Sequence, residues 1–348
     1  MNKVQLIFIL LLQLSILASG KEINIGLTGD ITFDGLVKKS IDKYGKGTVF
    51  EGYREEFTKC DMVFANLETT ITTGGDKIGY KKYTFRSSPD MLTELKKNKI
   101  YAVSIANNHI VDYGLSGFYD TLNNLKKYGI YYSGAGKNYE DSNIFPVVEK
   151  KGIKIGFIAF SHVIPYREWN VDVDRPGIKG IYPQHQKEVM ALIQSAKSKC
   201  DILIVSVHWG KERSLEPSSY QRKLAKKIID SGADIVMGHH THTVQEMEYY
   251  KGKPIFYSLG NFIFGNAVTK AANETVMGVV TVNDSGKIIK VKLKRGKIIE
   301  SMPLCYDGKK YKEYIKMKNE LLVSGNIKKE DKLKTLSNLK KVSNYDKM

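Results

Sequence analysis

"DIVMGHHTH", residues Asp234–His242, passes from a run of Ile, Val and Met straight into three of the chain's seven histidines. A short apolar, β-branched run of this kind reads as a buried strand. If the segment stays extended past the strand, His240 and His242 project to one side, where two imidazoles reach a single cation. His239 alternates to the other side and reads as a packing residue, or as one that orients ligands by hydrogen bonding.

Five further runs have the same form. "INIGLTGD" stops at Asp30, "DMVFANLE" at Glu68, "YAVSIANNH" at His109, "ILIVSVHWG" around His208 and "PIFYSLGNF" around Asn261. Amphipathic stretches separate them, the pattern of an α/β domain. Ligands of such sheets collect beyond the carboxyl ends of the strands, so these motifs are expected to converge on one site.

The strand ends supply Asp30, Glu68, Asn108, His109, His208, His240 and His242. Carboxylates, an amide oxygen and imidazoles suit a divalent transition metal, one or two ions of Mn, Fe or Zn, better than a thiolate-loving ion. A bridging carboxylate holds two such ions roughly 3.5–4 Å apart and positions a hydroxide for in-line attack, which leaves His109 for acid–base work. Asn66, Asp112, Glu212 and Asn261 lie inside the same motifs. They read as residues that orient ligands or contact substrate, and equally as structural hydrogen-bonding groups. His162 and His185 stand outside every motif, and no catalytic role is expected of them.

Two helices are legible between the strands. "LSGFYDTLNNLKKYG" places Leu115, Phe118, Leu122 and Leu125 on one stripe with Gly129 as its stop. "SSYQRKLAKKIIDSG" offers Ser218 or Ser219 as N-cap and Gly232 as its stop. "YREWNVDVDRPGIKG" has no period and carries Pro176 and Gly177, so it reads as a long loop, a candidate lid with Arg167, Glu168 and Trp169 as weak substrate contacts.

The 348 residues, 42% apolar and 26% charged, suffice for a large core. Residues 1–20, "MNKVQLIFILLLQLSILASG", put Lys3 before an apolar run that ends in Ala18, Ser19 and Gly20. This reads as a secretory signal peptide and places the protein in the periplasm, at the cell surface or outside the cell. The alternative is an uncleaved membrane anchor, against which the run is shorter than the roughly 20 residues of a comfortable span. Three widely spaced cysteines, Cys60, Cys200 and Cys305, form neither a disulfide framework nor a CxxC metal site. The formal net charge of +17 suits an anionic partner, and export argues against nucleic acid. The segment 21–296 reads as one domain, and residues 297–348 as a Lys-rich C-terminal extension.

"GLTGD", "FANLETTIT", "SIANNHIVDYG", "YYSGAGKN", "VHWGKE", "GADIVMGHHTHTVQ" and "YSLGNFIF" resemble, in order and spacing, the motifs of the CapA family of capsule or poly-γ-glutamate synthesis proteins. That family is similar in turn to calcineurin-like metallophosphatases. The resemblance implies a sandwich of two β-sheets flanked by helices, and a metal-dependent hydrolase or transferase site working on an anionic polymer such as poly-γ-glutamate, with membrane synthase subunits as further partners. It implies Asp30 and His242 on a first metal, Glu68 as the bridge, and Asn108, His208 and His240 on a second metal, with His109 as the catalytic histidine. Thr32 stands where the wider phosphatase pattern has a histidine, and Glu68 where it has Asp, so the first metal site is expected to be weak or empty. A non-catalytic protein that binds the polymer or holds the synthase, and a periplasmic metallophosphoesterase unrelated to capsule, are the rival readings.

Overall fold

Strict alternation of side chains along the strands builds the core. The structure, a computed structural model, describes residues 22–79, 81–265, 269–313 and 315–316. The chain first lays down β1 (Ile23–Ile31), β2 (Met62–Leu67), β3 (Ile100–Ser104) and β4 (Tyr131–Ser133), all parallel. It then builds a second sheet from β5 (Val147–Lys150), β6 (Ile153–Ser161), β7 (Ile202–His208), β8 (Ile235–His239), β9 (Met247–Tyr250) and β10 (Lys253–Phe256). Finally it returns to the first sheet with β11 (Asn261–Ile263), β12 (Glu274–Val282), β13 (Ile288–Ile299) and β14 (Met302–Cys305). The first sheet is ordered β14-β13-β12-β1-β2-β3-β4, with β11 beside the end of β1; the second is ordered β9-β10-β8-β7-β6-β5.

The two sheets pack face to face. Ile23, Ile25 and Leu27 of β1, Met62 and Phe64 of β2, Phe157 of β6, Ile202 and Ile204 of β7, and Ile235 and Met237 of β8 form one buried cluster between them. The intervening residues point outward. Val63, Ala65 and Leu67 meet the helices over the first sheet, and Leu203, Val205, Val207 and Val236 meet those over the second. This is the two-sheet sandwich flanked by helices, with β1, β2 and β3 facing β6, β7 and β8, and with the carboxyl ends of those strands at one edge of the buried layer.

Outside the sheets, α1 (Gly114–Tyr128) ends on Gly129 in the left-handed conformation at φ 66°, a position that glycine fills without strain. It buries Phe118, Leu122 and Leu125, while Leu115, expected on the same stripe, is exposed at the first turn. On the other face lie α2 (Gln186–Lys197) and α3 (Ser219–Asp230). Ser218 caps α3 in a reciprocal box with Gln221, satisfying two backbone donors that a helix start otherwise leaves free.

The structure departs from the sequence reading in two places. The run "PIFYSLGNF" is two strands in different sheets, β10 and β11, because the chain turns at Gly260 with φ 69° and crosses the layer. Gly29 permits that crossing: a β-carbon there would lie 1.9 Å from the Gly260 carbonyl oxygen. The boundary set after Gly296 falls inside β13, which runs on to Ile299 and turns back as β14 to Cys305, so the sheet extends past the expected domain end. Regular pairing with β12 carries the strand through its lysines, whose side chains reach solvent from an outer strand. The segment around Trp169 is a loop with one short turn, Arg167–Trp169, and a two-residue pairing of Gly177–Ile178 with Ala135–Gly136. Residues 1–20, and the extension from residue 317, lie outside the described residues.

Candidate metal centre

At the carboxyl edge of the buried layer the alternation continues while the chemistry changes. Register pairs Asp30 with Asn66 on the first sheet and His208 with His239 on the second. Asn66 has the parity of Met62 and Phe64, and His208 that of Ile202 and Ile204, so polar side chains replace apolar ones on the same inner faces. They meet across the gap: Asn66 Nδ2 lies 3.4 Å from His208 Nδ1, and His239 Nδ1 lies 3.1 Å from Asp30 Oδ1.

The loops beyond the strands add the rest. Glu68 follows β2 and is wholly buried. Its Oε1 has no hydrogen-bond partner, yet stands 3.7 Å from His208 Nε2, 3.8 Å from His242 Nε2 and 3.9 Å from His109 Nε2. These gaps are too long for hydrogen bonds. They suit donors that share a cation, because two ligand atoms each about 2.1 Å from a metal stand roughly 3–4 Å apart. Two donor groups result, each with its atoms within 4.8 Å of one another: Asp30, Glu68 and His242, and Glu68, His208 and His240. Asn108 Oδ1 lies 2.8 Å from His208 Nε2 and adjoins the second group.

His240 and His242 enter different groups, and the backbone shows why. Strand β8 ends at His239, and the next residues are not extended: His240 has φ 88° and His242 φ 56°. An extended His-x-His would send both rings one way. The left-handed turns instead split them, with ring centroids 6.1 Å apart. His239, expected to alternate away from both, is fully buried against Asp30.

Burial sets the charges. It lowers His208 well below the usual imidazole range, with the His240 ring adding to the effect, and lowers His240 to about 3. Both are therefore neutral near pH 7, as metal ligation requires. Burial would raise Asp30, but His239, His242 and the Asn66 amide hold it below the ordinary carboxylate range. Glu68 goes the other way, pushed well up by burial and by the negative charge of Asp30. Glu68 Oε1 and His240 Nδ1 are both buried without a hydrogen-bond partner, which fits donors that hold a cation.

Surrounding groups hold the donors in place. Asn66 donates to Asp30 Oδ1 at 2.9 Å, and Asn261 Oδ1 stands 2.8 Å from His242 Nδ1. The Asn261 amide is itself oriented by donation to the Ala272 carbonyl at 3.1 Å, so its oxygen accepts from His242 Nδ1 and leaves His242 Nε2 bare toward Glu68. Asp112 is wholly buried 2.6 Å from His109 Nδ1. Burial lowers His109, against the opposing pull of Asp112. Thr32 is buried and accepts from the Asp34 amide at 3.3 Å. Glu212 is exposed on the loop after β7 and touches none of these groups closely, although its charge raises Glu68.

Two residues of the site escaped the sequence reading. Asn107 donates to Asn66 Oδ1 at 3.1 Å and to the Leu67 carbonyl at 2.9 Å, and its Oδ1 accepts from the His109 amide. Its signal was the doubled Asn of "ANNH". Lys81 donates to Asp112 and to the Asn108 carbonyl, and in "GYKKY" it is indistinguishable from solvated surface charge.

The family model for bacterial capsule synthesis protein PGA_cap matches residues 24–266. The PGA biosynthesis protein CapA of Bacillus subtilis is 31% identical over 251 residues, 72% of this chain and 65% of that protein. The capsule biosynthesis protein CapA of Bacillus anthracis is 29% identical over 262 residues, 74% of this chain and 63% of that protein. The chain thus spans a little under two thirds of the length of these relatives. Among solved structures, the NAD nucleotidase of Haemophilus influenzae superposes with a TM-score of 0.48 at 12% identity, over 86% of this chain and 56% of that one.

Proposed function

The chain belongs to the bacterial capsule synthesis protein PGA_cap family, and from that premise we propose that it is an exported protein of anionic-polymer assembly, of the poly-γ-glutamate kind, acting through a metal-dependent hydrolase or transferase site. The observation that carries this reading is the buried, unpartnered Glu68 Oε1 amid three imidazoles. Asp30, Glu68 and His242 would hold one ion, and Glu68, Asn108, His208 and His240 a second; the oxygen and nitrogen donors suit Mn, Fe or Zn. A divalent ion held there supplies Lewis acidity toward a phosphoryl or acyl oxygen and brings the ionisation of water to about pH 7.

The chain's own residues do the rest. His109 keeps Nδ1 on Asp112 and turns Nε2 toward Glu68, where it can take up a proton and pass it to a leaving group. Asn66 and Asn261 orient Asp30 and His242 by hydrogen bonding, with His239 packed against Asp30. The net charge of +17 favours an anionic polymer over a neutral one. Residues 1–20 support export.

The rival is a scaffold that binds polymer or a membrane synthase subunit without chemistry, favoured by Thr32, which adds no donor to the first site. His109→Ala decides between them. A catalyst keeps its metal and fold but loses about 10²–10⁴-fold in turnover, and polymer output in cells falls with it. Normal output from a stably expressed His109→Ala protein defeats catalysis and leaves the scaffold. Metal analysis of protein purified without chelator tests the premise: at least one ion is expected, and His240→Ala with His242→Ala should remove most of it.

A further inference from the structure

Most donors of the metal centre are sealed in. Asp30, Glu68 and His208 are wholly buried, whereas the His242 side chain is 17% exposed and Asn108 is only partly buried. A reacting molecule therefore approaches beside His242 and Asn108, and two phenylalanines border that approach. The Phe85 ring packs on the His109 ring with centroids 4.4 Å apart, and the Phe264 ring lies 5.0 Å from the His242 ring. The two phenylalanines meet edge to face at 5.4 Å. Both stay partly exposed, although they come from distant segments, one just before the Arg86–Ser87 pairing and the other directly after β11. The Phe85 backbone is pinned by donation of its amide to Asp112 Oδ2 at 2.7 Å. Apolar surface continues to Leu36, 47% exposed, whose Cβ would stand 3.4 Å from a β-carbon at Gly265.

We propose that Phe85 and Phe264 are specificity-determining residues, an apolar lip that seats the methylene chain of an aliphatic acyl substrate. The proposal rests on the reading of the centre as a metal site. Apolar surface left to water at the mouth of a polar site is covered by a ligand that carries polar and apolar parts in the same order. The donors take the oxygen of the group acted on, and the atoms next to that group fall beside the rings. In a phosphoanhydride chain those atoms are further charged oxygens, which lose hydration against a ring and gain no partner. In an aliphatic amide or ester they are methylenes, each of which gains from burial. A γ-glutamyl amide has this form, with a pair of methylenes between its carbonyl and the carbon that bears the carboxylate. Lys77 and Lys82, exposed on the segment that leads into Phe85, suit carboxylates farther along such a chain.

A ladder of hydroxamates tests the lip, because the hydroxamate group binds a metal ion whatever chain it carries. Calorimetric titration of the zinc-loaded protein with the hydroxamates of acetic, butyric and hexanoic acid reads the gain per methylene directly. Affinity should rise about twofold to fourfold with each methylene, the yield of partial to full burial. Phe85→Ala and Phe264→Ala should each flatten the ladder. A flat ladder in the wild type, with acetohydroxamate bound, overturns the lip and leaves the metal reading intact. A ladder as steep without the rings as with them overturns the role of Phe85 and Phe264. Should the alanine variants not fold, Phe264→Gln, which keeps bulk but replaces apolar surface with an amide, carries the same expectation and the same refutation. Failure of the zinc-loaded protein to bind even acetohydroxamate overturns the metal reading and the lip with it, a result distinct from a flat ladder.

Discussion

Along β2 the residues facing the second sheet are Met62, Phe64 and Asn66; along β7 those facing the first sheet are Ile202, Ile204, Ser206 and His208. One buried layer thus has two ends built by the same alternation. At one end Phe64 stacks on Phe157 with centroids 5.0 Å apart, and every surface is matched by another. At the other, equally buried, Glu68, His239 and His240 carry polar atoms without partners. Apolar burial contributes about 25 cal/mol per Å², whereas an unsatisfied buried polar group costs about 1–3 kcal/mol. The first end therefore stabilises the fold on which the second imposes a cost, and a ligand bound only by the folded chain would offset that cost.

Four substitutions can break or sharpen this contrast. The largest effect belongs to the dry end: Phe157→Ala should cost about 3–5 kcal/mol in urea unfolding, while metal per folded molecule stays as in wild type. A loss of metal in folded Phe157→Ala would mean that the two ends are not separable.

Glu68→Gln should do the opposite in chelator-treated protein, raising stability by about 1–3 kcal/mol at neutral pH while reducing metal retention. The sign follows from the raised Glu68 carboxyl. In the unfolded chain it ionises near pH 4.3, whereas in the fold it resists ionisation, so the penalty is absent below about pH 4 and grows as pH rises through the folded value. The advantage of Glu68→Gln should therefore vanish in denaturation series taken down to about pH 4, and a constant advantage across pH would refute the account.

Asn261→Ala removes the acceptor that orients His242 together with a donor to the Ala272 carbonyl. Titration with zinc should show metal affinity down by about 10–100-fold, with unfolding shifted by about 1 kcal/mol. Unchanged affinity would remove Asn261 from the site. Least is expected of Ser218→Gly at the cap of α3, which supplies no donor to the site: a few tenths of a kcal/mol and no change in metal. A metal effect there would argue for coupling through the outer helices.

Strand ends and face alternation were readable because a period of two and a switch from β-branched to polar residues are local patterns. They bring Asp30, Glu68, Asn108, His109, His208, His240 and His242 to one edge. The division of labour between His240 and His242 was not readable from spacing, because it depends on two left-handed residues after His239. The placing of Asn261 in the first sheet was hidden for a similar reason: "PIFYSLGNF" is apolar enough for one strand, and only the close approach of Gly29 to Gly260 breaks it in two.

By itself the sequence determined the alternating strands, a helix cap at Ser218 or Ser219, the glycine stop at Gly129 and the types of donor that end each strand, since each depends on residues within a turn or two of one another. Only the tertiary structure decided that Asp30 meets His239, that Glu68 Oε1 sits among three rings, and that Lys81, 31 positions before Asp112, neutralises it. Those contacts join segments far apart in the chain. Their strength comes from shared burial, a property that the packed sheets confer and that no single stretch of residues possesses.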